Sequence, residues 1–306
     1  MTSAPRPERR VGGPGGDPAQ FVGARLAPAK LNLALRVLGR RAEGFHEIES
    51  VMVTLPWGDD VGLRVAAGAA DRLRLQQQGE TQGVPCDDTN LAVRAARAVL
   101  GHVAERPALD VDIDLVKRVP PGAGLGGGSS DAAAVIALLG QALHVPPAEQ
   151  GEIAASLGSD IPFLLQGGAA VVRGRGEQVE VLPSPPVPSV VLVLPPFGCS
   201  TAAVYARCAE RVRNVPASAI PAAVAALASG SPAAWREAHG NDLAFAALRV
   251  EPRLKDLARE VEVRLGRPPM LSGSGSTLYD VPDVGDEQAV LDALQGLPAR
   301  VLLVRG

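Results

Sequence analysis

Pro120-Pro121-Gly122-Ala123-Gly124-Leu125-Gly126-Gly127-Gly128-Ser129-Ser130-Asp131 anchors the chain. Before it, Val111, Ile113 and Leu115 alternate with Asp110, Asp112 and Asp114, the period-two signature of a strand with one wet face. After it, Ala132 to Leu143 places Val135, Ile136 and Leu139 at helical spacing among strong helix formers. The order is therefore strand, proline break, glycine loop, helix. Glycines allow a tight backbone curl and bring bare N–H groups to a ligand. A helix start adds unpaired N–H donors and the positive end of its dipole, which suits phosphate.

A plain hinge is the simplest competitor, but so many glycines between two well-formed elements are entropically costly unless something binds there. No Lys follows the last glycine, so the loop is not a P-loop. Gly122, Gly124 and Gly127 do spell GxGxxG, which brings in a dinucleotide-binding protein as an alternative. Against it, Pro120 and Pro121 separate strand from loop, and no acidic residue ends a second strand at the required distance. A nucleotide polyphosphate is the better guest.

Working outward, Leu31, Leu33, Leu35 and Val37 alternate with Asn32, Ala34 and Arg36 in a strand that Lys30 opens. Lys30 and Asn32 are either solvated edge residues or a site. Phe45 and His46 sit in a polar turn leading to a strand over Ile48 to Leu55, and no second His follows in HExxH spacing. Further strands are expected at Val61–Val65 and Leu73–Leu75. Asp87, Asp88 or Thr89 would cap a helix running to Leu100. Ala148 to Leu157 reads as a helix stopped by Gly158, and Asp160 beyond it has the local look of another cap. Residues 183–189, Pro-Ser-Pro-Pro-Val-Pro-Ser, form a linker. After it come a buried strand, Val190 to Leu194, then Ser200 or Thr201 as a cap and Tyr205 as a core aromatic. A second glycine loop, Gly273-Ser274-Gly275, follows a helix over Pro252 to Leu265. The chain closes with a helix near Glu287 to Leu294 and a strand over Arg300 to Val304.

Composition excludes several classes. A net charge of −3 argues against a dedicated nucleic-acid or anionic-membrane binder. The three cysteines lack CxxC spacing and suit a reducing cytosol. Residues 1–20 are Pro-, Gly- and Arg-rich without an apolar core, the composition of a disordered tail rather than a signal peptide. No apolar run reaches membrane-span length. A cytoplasmic protein, monomeric or weakly dimeric, is expected.

The anchoring sequence resembles the ATP-binding loop of the GHMP kinases, and the resemblance runs from about Arg25 to Gly306. It implies an α+β, two-domain kinase with its active site in the interdomain cleft. The ATP-binding domain would be residues 21–182 and the second domain residues 190–306. ATP would lie on Pro120, Gly122, Gly124, Leu125, Gly126, Gly127, Gly128, Ser129 and Ser130, with Gly273, Ser274 and Gly275 completing the pocket. Mg²⁺ would come with the phosphates, Ser130 being its candidate contact. Asp131, next to those phosphates, suggests a cation nearby. Lys30 and Asp160 match the family's catalytic pair. Asn32, Phe45, His46, Thr201 and Tyr205 match the acceptor site. The aromatic and histidine pair with a late Tyr is similar to the branch whose small-molecule substrate is 4-diphosphocytidyl-2-C-methyl-D-erythritol. Mevalonate- or homoserine-type kinases, which lack that base sandwich, remain the alternative within the family.

Overall fold

The computed structural model describes residues 20–42, 44–103, 105–183, 186–208 and 215–306. The tail expected over 1–20 lies outside them except for Gln20, as do Ser184 and Pro185 of the expected linker. In chain order the elements are β1 (Gln20–Arg40), β2 (His46–Ala67), β3 (Arg72–Gly79), α1 (Leu91–His102), β4 (Leu109–Lys117), α2 (Gly127–Ala142), α3 (Pro147–Leu157) and α4 (Ile161–Gln166). Then come β5 (Ala169–Gly174), β6 (Gln178–Leu182), β7 (Val190–Leu194), α5 (Thr201–Cys208), α6 (Ala219–Ser229), α7 (Pro232–Ala238), β8 (Gly240–Asn241) and α8 (Ala244–Val250). The chain ends with α9 (Pro252–Leu265), β9 (Met270–Leu271), β10 (Leu278–Asp280), α10 (Glu287–Ala293) and β11 (Arg300–Val304). Among the described residues no helix is long and apolar enough to cross a membrane.

These elements form two compact units that interleave along the chain. Among the described residues, one contains those of 20–28, 58–119 and 127–165; the other contains those of 29–57, 120–126 and 166–306. This partition differs from the sequence-order division expected at 183–189, because β1 and β2 each give residues to both units.

In the first unit β3 runs parallel to β4, and β4 pairs antiparallel with Asp60–Ala67 of β2. The alternation read from β4 holds: Leu109, Val111, Ile113 and Leu115 are buried while the intervening aspartates are not. The same parity carries Lys117 inward. Helices α1, α2 and α3 pack on one another. Ala92, Ala95 and Ala96 of α1 and Ala132, Ala133 and Ala134 of α2 are all buried, and such short side chains let helix backbones approach closely. Helix α2 starts at Gly127 rather than Ala132, so the last two glycines of the run are helical. Only Gly122, Gly124 and Gly126 need positive φ, at 67°, 75° and 72°. The cap of α1 is Asn90, not the residues before it: its side chain accepts from Ala92 N–H at 2.9 Å. Asp87 is instead spent on a local turn with Thr89. Strand β2 continues where two strands were expected. Gly58 permits this, because a Cβ there would lie 2.0 Å from the Ala27 carbonyl oxygen.

In the second unit β1 pairs parallel with β8, β2 pairs antiparallel with β5, and β5 with β6. A separate antiparallel sheet has the order β11-β7-β10-β9. All of β7 is buried, which explains its unbroken apolar run. The core joins Val191 and Val193 to Leu254, Leu257 and Val261 of α9, with Leu278 and Leu294.

A buried imidazole ties this unit together. His239, just past α7, lies 3.1 Å through Nδ1 from the Tyr279 hydroxyl, and that hydroxyl donates to the Asn32 carbonyl at 3.1 Å. The Leu271 N–H donates to His239 Nε2 at 3.4 Å. These bonds require a neutral ring with Nδ1 as its donor. Burial holds the His239 pKa down to about 4. Since the unfolded histidine titrates near 6.5, the unfolded state binds the extra proton between those values and stability must rise with pH there. Unfolding measured by denaturant should show about 3 kcal/mol of stability lost as pH falls from 6.5 to 4, and His239→Gln should flatten that slope.

Candidate active site

The two glycine loops touch backbone to backbone. Ser276 N–H donates to the Gly122 carbonyl at 3.2 Å and Thr277 N–H to the Ala123 carbonyl at 3.0 Å. Ser272 Oγ donates to the Gly124 carbonyl at 3.0 Å. A Cβ on Gly124 would meet the Ser272 carbonyl oxygen at 2.3 Å and Gly275 backbone atoms at 2.8 and 3.0 Å. Leu125 is fully buried between its glycine neighbours, and its carbonyl accepts the Lys30 N–H at 2.9 Å. Pro120, Gly122, Gly124, Leu125 and Gly126 thus share the second unit with Gly273, Ser274 and Gly275.

Lys30 and Asn32 are neither edge residues nor solvated: they are 4% and 1% exposed. Lys30 Nζ donates to Asn32 Oδ1 at 2.5 Å. Asn32 Nδ2 donates to Ser50 Oγ at 2.9 Å. Gly273 has φ 55°, and a Cβ there would lie 3.0 Å from Lys30 Nζ, so the second loop passes close over this lysine. Asn241 holds that loop in place, donating from Nδ2 to the Leu271 and Gly273 carbonyls at 3.0 and 2.8 Å. Asp242 accepts from Val37 and Val215 N–H, both at 2.9 Å. Asn241 and Asp242 are thus structural residues that bear directly on the second loop and on β1.

The aromatic group is also in the second unit. His46 and Tyr205 rings lie 4.9 Å apart, tilted by 34°, so no base fits between those two. Phe45 is half exposed, and the Arg175 guanidinium lies 5.2 Å from its ring centroid, a cation–π contact. His46 Nε2 is buried without a hydrogen-bond partner among the described residues. Burial and the nearby Arg40 lower the His46 pKa, which favours the neutral imidazole. Thr201, the first residue of α5, shares a 2.9 Å hydrogen bond with Ser274. That links the acceptor-side expectation to the second glycine loop.

The first unit holds the helix start. Gly127, Gly128, Ser129 and Ser130 form the first turn of α2. The protein itself places a cation beside Asp131: Lys117 Nζ donates to Asp131 Oδ2 at 2.5 Å and also to Asp59. Asp59 further accepts the Arg118 and Val119 N–H groups, gripping the chain where it enters the loop. Lys117, Asp59 and Asp131 are all buried. The two carboxylates raise the Lys117 pKa against the opposing effect of burial. Burial, with Asp59 adding to it against Lys117, raises Asp131 to about 7. Sequence reading missed this cluster, although carrying the β4 alternation one step further puts Lys117 inside, where it needs a carboxylate. Asp160 lies at the start of α4, its carbonyl accepting the Leu164 N–H at 3.0 Å, in the same unit as Ser130.

Among the described residues no three His, Cys, Asp or Glu side chains are grouped to hold a metal. The start of α2 does fit a cation carried in by phosphates. Ser130 Oγ and Asp131 Oδ1 are buried and lack hydrogen-bond partners among the described residues, and hard oxygens are what Mg²⁺ takes.

The GHMP kinases N terminal domain model matches residues 90–168. A 4-diphosphocytidyl-2-C-methyl-D-erythritol kinase from Heliobacterium modesticaldum is 41% identical over 273 residues, 83% of this chain and 84% of that protein. A crystal structure of 4-(cytidine 5'-diphospho)-2C-methyl-D-erythritol kinase superposes with a TM-score of 0.69 at 34% identity, covering 92% of this chain and 99% of that one. The mevalonate kinase of L. major in complex with R-mevalonate, 16% identical with a TM-score of 0.64 over 94% of this chain and 97% of that one, shares the fold.

Two substitutions separate the loop's glycines. Gly128 has open space around its Cβ position, with Leu91 Cδ1 at 3.7 Å. Gly128→Ala should therefore stabilise by about 0.4–1 kcal/mol, whereas Gly124→Ala should lose about 1–3 kcal/mol from backbone strain alone, both read by thermal unfolding. Lys117→Met strands two buried carboxylates, and denaturant unfolding should show a loss of about 3–5 kcal/mol.

Proposed function

The chain belongs to the GHMP kinases, in the branch of the 4-diphosphocytidyl-2-C-methyl-D-erythritol kinases, and on that footing we propose how its residues divide the work. The reaction is ATP-dependent phosphorylation of the C2 hydroxyl of 4-diphosphocytidyl-2-C-methyl-D-erythritol, in the non-mevalonate route to isoprenoid precursors. The observation that carries the residue assignment is the buried Lys30, held by Asn32 and passed closely by the second glycine loop at Gly273.

ATP's phosphates take the loop and helix start, Pro120 to Ser130, where positive-φ glycines and first-turn N–H groups present donors. Ser130 Oγ, with the free oxygen of Asp131, would hold the accompanying Mg²⁺. That ion supplies charge neutralisation of the phosphates. Lys117 does not serve there directly, because both of its carboxylate partners already claim it. Its part is to keep Asp131 from facing the phosphates as an uncompensated charge.

The cytidyl end of the acceptor goes to Phe45, His46 and Tyr205. Phe45 offers a half-exposed face for stacking. The unpaired His46 Nε2 gains its missing hydrogen bond from the base edge. Thr201, bonded to Ser274, lines the acceptor. In the transfer step the bond from the γ-phosphorus to the β,γ-bridging oxygen breaks and one to the C2 oxygen forms. Asp160 accepts the hydroxyl proton, and Lys30 stabilises the moving phosphoryl charge. Positioning and charge supply most of the acceleration in phosphoryl transfer, so few groups are needed.

Asp160→Asn keeps shape and hydrogen bonding but cannot take a proton. Turnover followed by coupled ADP release should fall about 10²–10⁴-fold, with both substrates still bound in calorimetry. Retention of more than about a tenth of native turnover would return Asp160 to a helix-start residue.

A further inference from the structure

We propose that Ser50 is a positioning residue for the kinase reaction: through Asn32 it fixes where the Lys30 ammonium sits. The inference rests on the role given to Lys30 above. Ser50 lies in β2 among Ile48, Val51, Met52 and Val53, and its exposure is 0%. A hydroxyl so placed is costly unless its capacity is used, and here both halves are used. Its O–H donates to the Ala34 carbonyl at 2.7 Å. With that single proton committed, Ser50 shows only lone pairs to Asn32. Asn32 answers with its NH₂, at 2.9 Å.

The amide orientation then follows. The carbonyl oxygen of Asn32 must face the other way, and it meets Lys30 Nζ at 2.5 Å. An ammonium has donors only, so the flipped amide would set donor against donor at one end and acceptor against acceptor at the other. The backbone beneath is pinned independently. Tyr279 O–H donates to the Asn32 carbonyl at 3.1 Å, and Lys30 N–H donates to the Leu125 carbonyl at 2.9 Å. Backbone placement therefore comes from Tyr279 and the glycine loop, while the direction of the Asn32 side chain comes from Ser50. This changes the part given to Asn32. At 1% exposure and with both ends of its amide engaged, it aims the lysine rather than reading the acceptor.

The test combines kinetics with a direct probe of the amide. Ser50→Ala removes the lone pairs and frees Asn32 to turn. Its kcat should fall about 10–100-fold, the usual worth of a misplaced catalytic group, with KM for ATP nearly unchanged. Ser50→Thr keeps the hydroxyl and should restore activity. Ser50→Cys, a weaker acceptor of similar shape, should fall between and serves if the alanine variant unfolds. In a Lys30→Met background Ser50→Ala should cost nothing further, because residues acting as a unit are not additive. An equal loss in that background would mean general damage to the strand and overturn the proposal. So would a Ser50→Ala enzyme within about twofold of native kcat. The side-chain amide resonances of Asn32, followed by ¹⁵N NMR, should move in Ser50→Ala and in Lys30→Met alike. If they move in neither, the relay is wrong whatever the kinetics. If they move in both while Lys30→Met stays fully active, the relay stands and the catalytic assignment of Lys30 fails.

Discussion

Backbone lies on backbone where residues 122–124 meet 272–277, and that contact constrains the rest of the second unit. With the Ser272 carbonyl oxygen 2.3 Å from where a Cβ on Gly124 would stand, no side chain can enter. The hydrogen bonds from Ser276 and Thr277 to Gly122 and Ala123 join the two loops as a short, irregular ladder. Lys30 is seated by the same contact, through its N–H to Leu125. Asn241, Tyr279 and His239 then brace the far side of the second loop and the strand carrying Lys30. A surface built of bare backbone has to be rigid, since it has no side chains with which to adapt to a ligand.

Two buried lysines solve different problems in the two units. Lys117 is neutralised by Asp59 and Asp131, and the result is a fixed polar knot. It joins the end of β4, the entry to the glycine loop and the first turn of α2. Lys30 is oriented by a neutral amide whose own direction is set by Ser50. Replacing Asn32 by a carboxylate would keep the geometry and reduce the field at the phosphate.

Much of the architecture was legible because the local signals were strong. Helix α9 runs from Pro252 to Leu265 as read, between a proline start and Gly266 with φ 66°. Strands β7 and β11 match residue for residue. The strand–loop–helix order around the glycine loop was legible from local signals, whereas the roles proposed for Lys30, Asp160 and the aromatic group came from family resemblance. What was hidden is tertiary. Asp59 is 58 residues from Lys117, and Ser50 is 18 from Asn32, and nothing local announces either pairing. Asn90 displaced the expected cap because Asp87 closes its own turn with Thr89. The two expected strands merged into β2 because Gly58 allows close passage of the Ala27 backbone. In the buried pairings and in β2 a contact distant in sequence overruled a local preference, whereas at α1 a turn of two residues did so.

This kinase is built for a cytidyl-capped acceptor. The most direct measurement offers the purified protein ATP with 4-diphosphocytidyl-2-C-methyl-D-erythritol, mevalonate or homoserine in separate reactions. ADP release gives the rates, and ³¹P NMR shows whether a new phosphate monoester forms. The expected result is a monoester on the cytidyl acceptor, with kcat/KM at least about a hundredfold above either alternative. Equal or faster turnover of mevalonate or homoserine, or no monoester on the cytidyl acceptor, would contradict it.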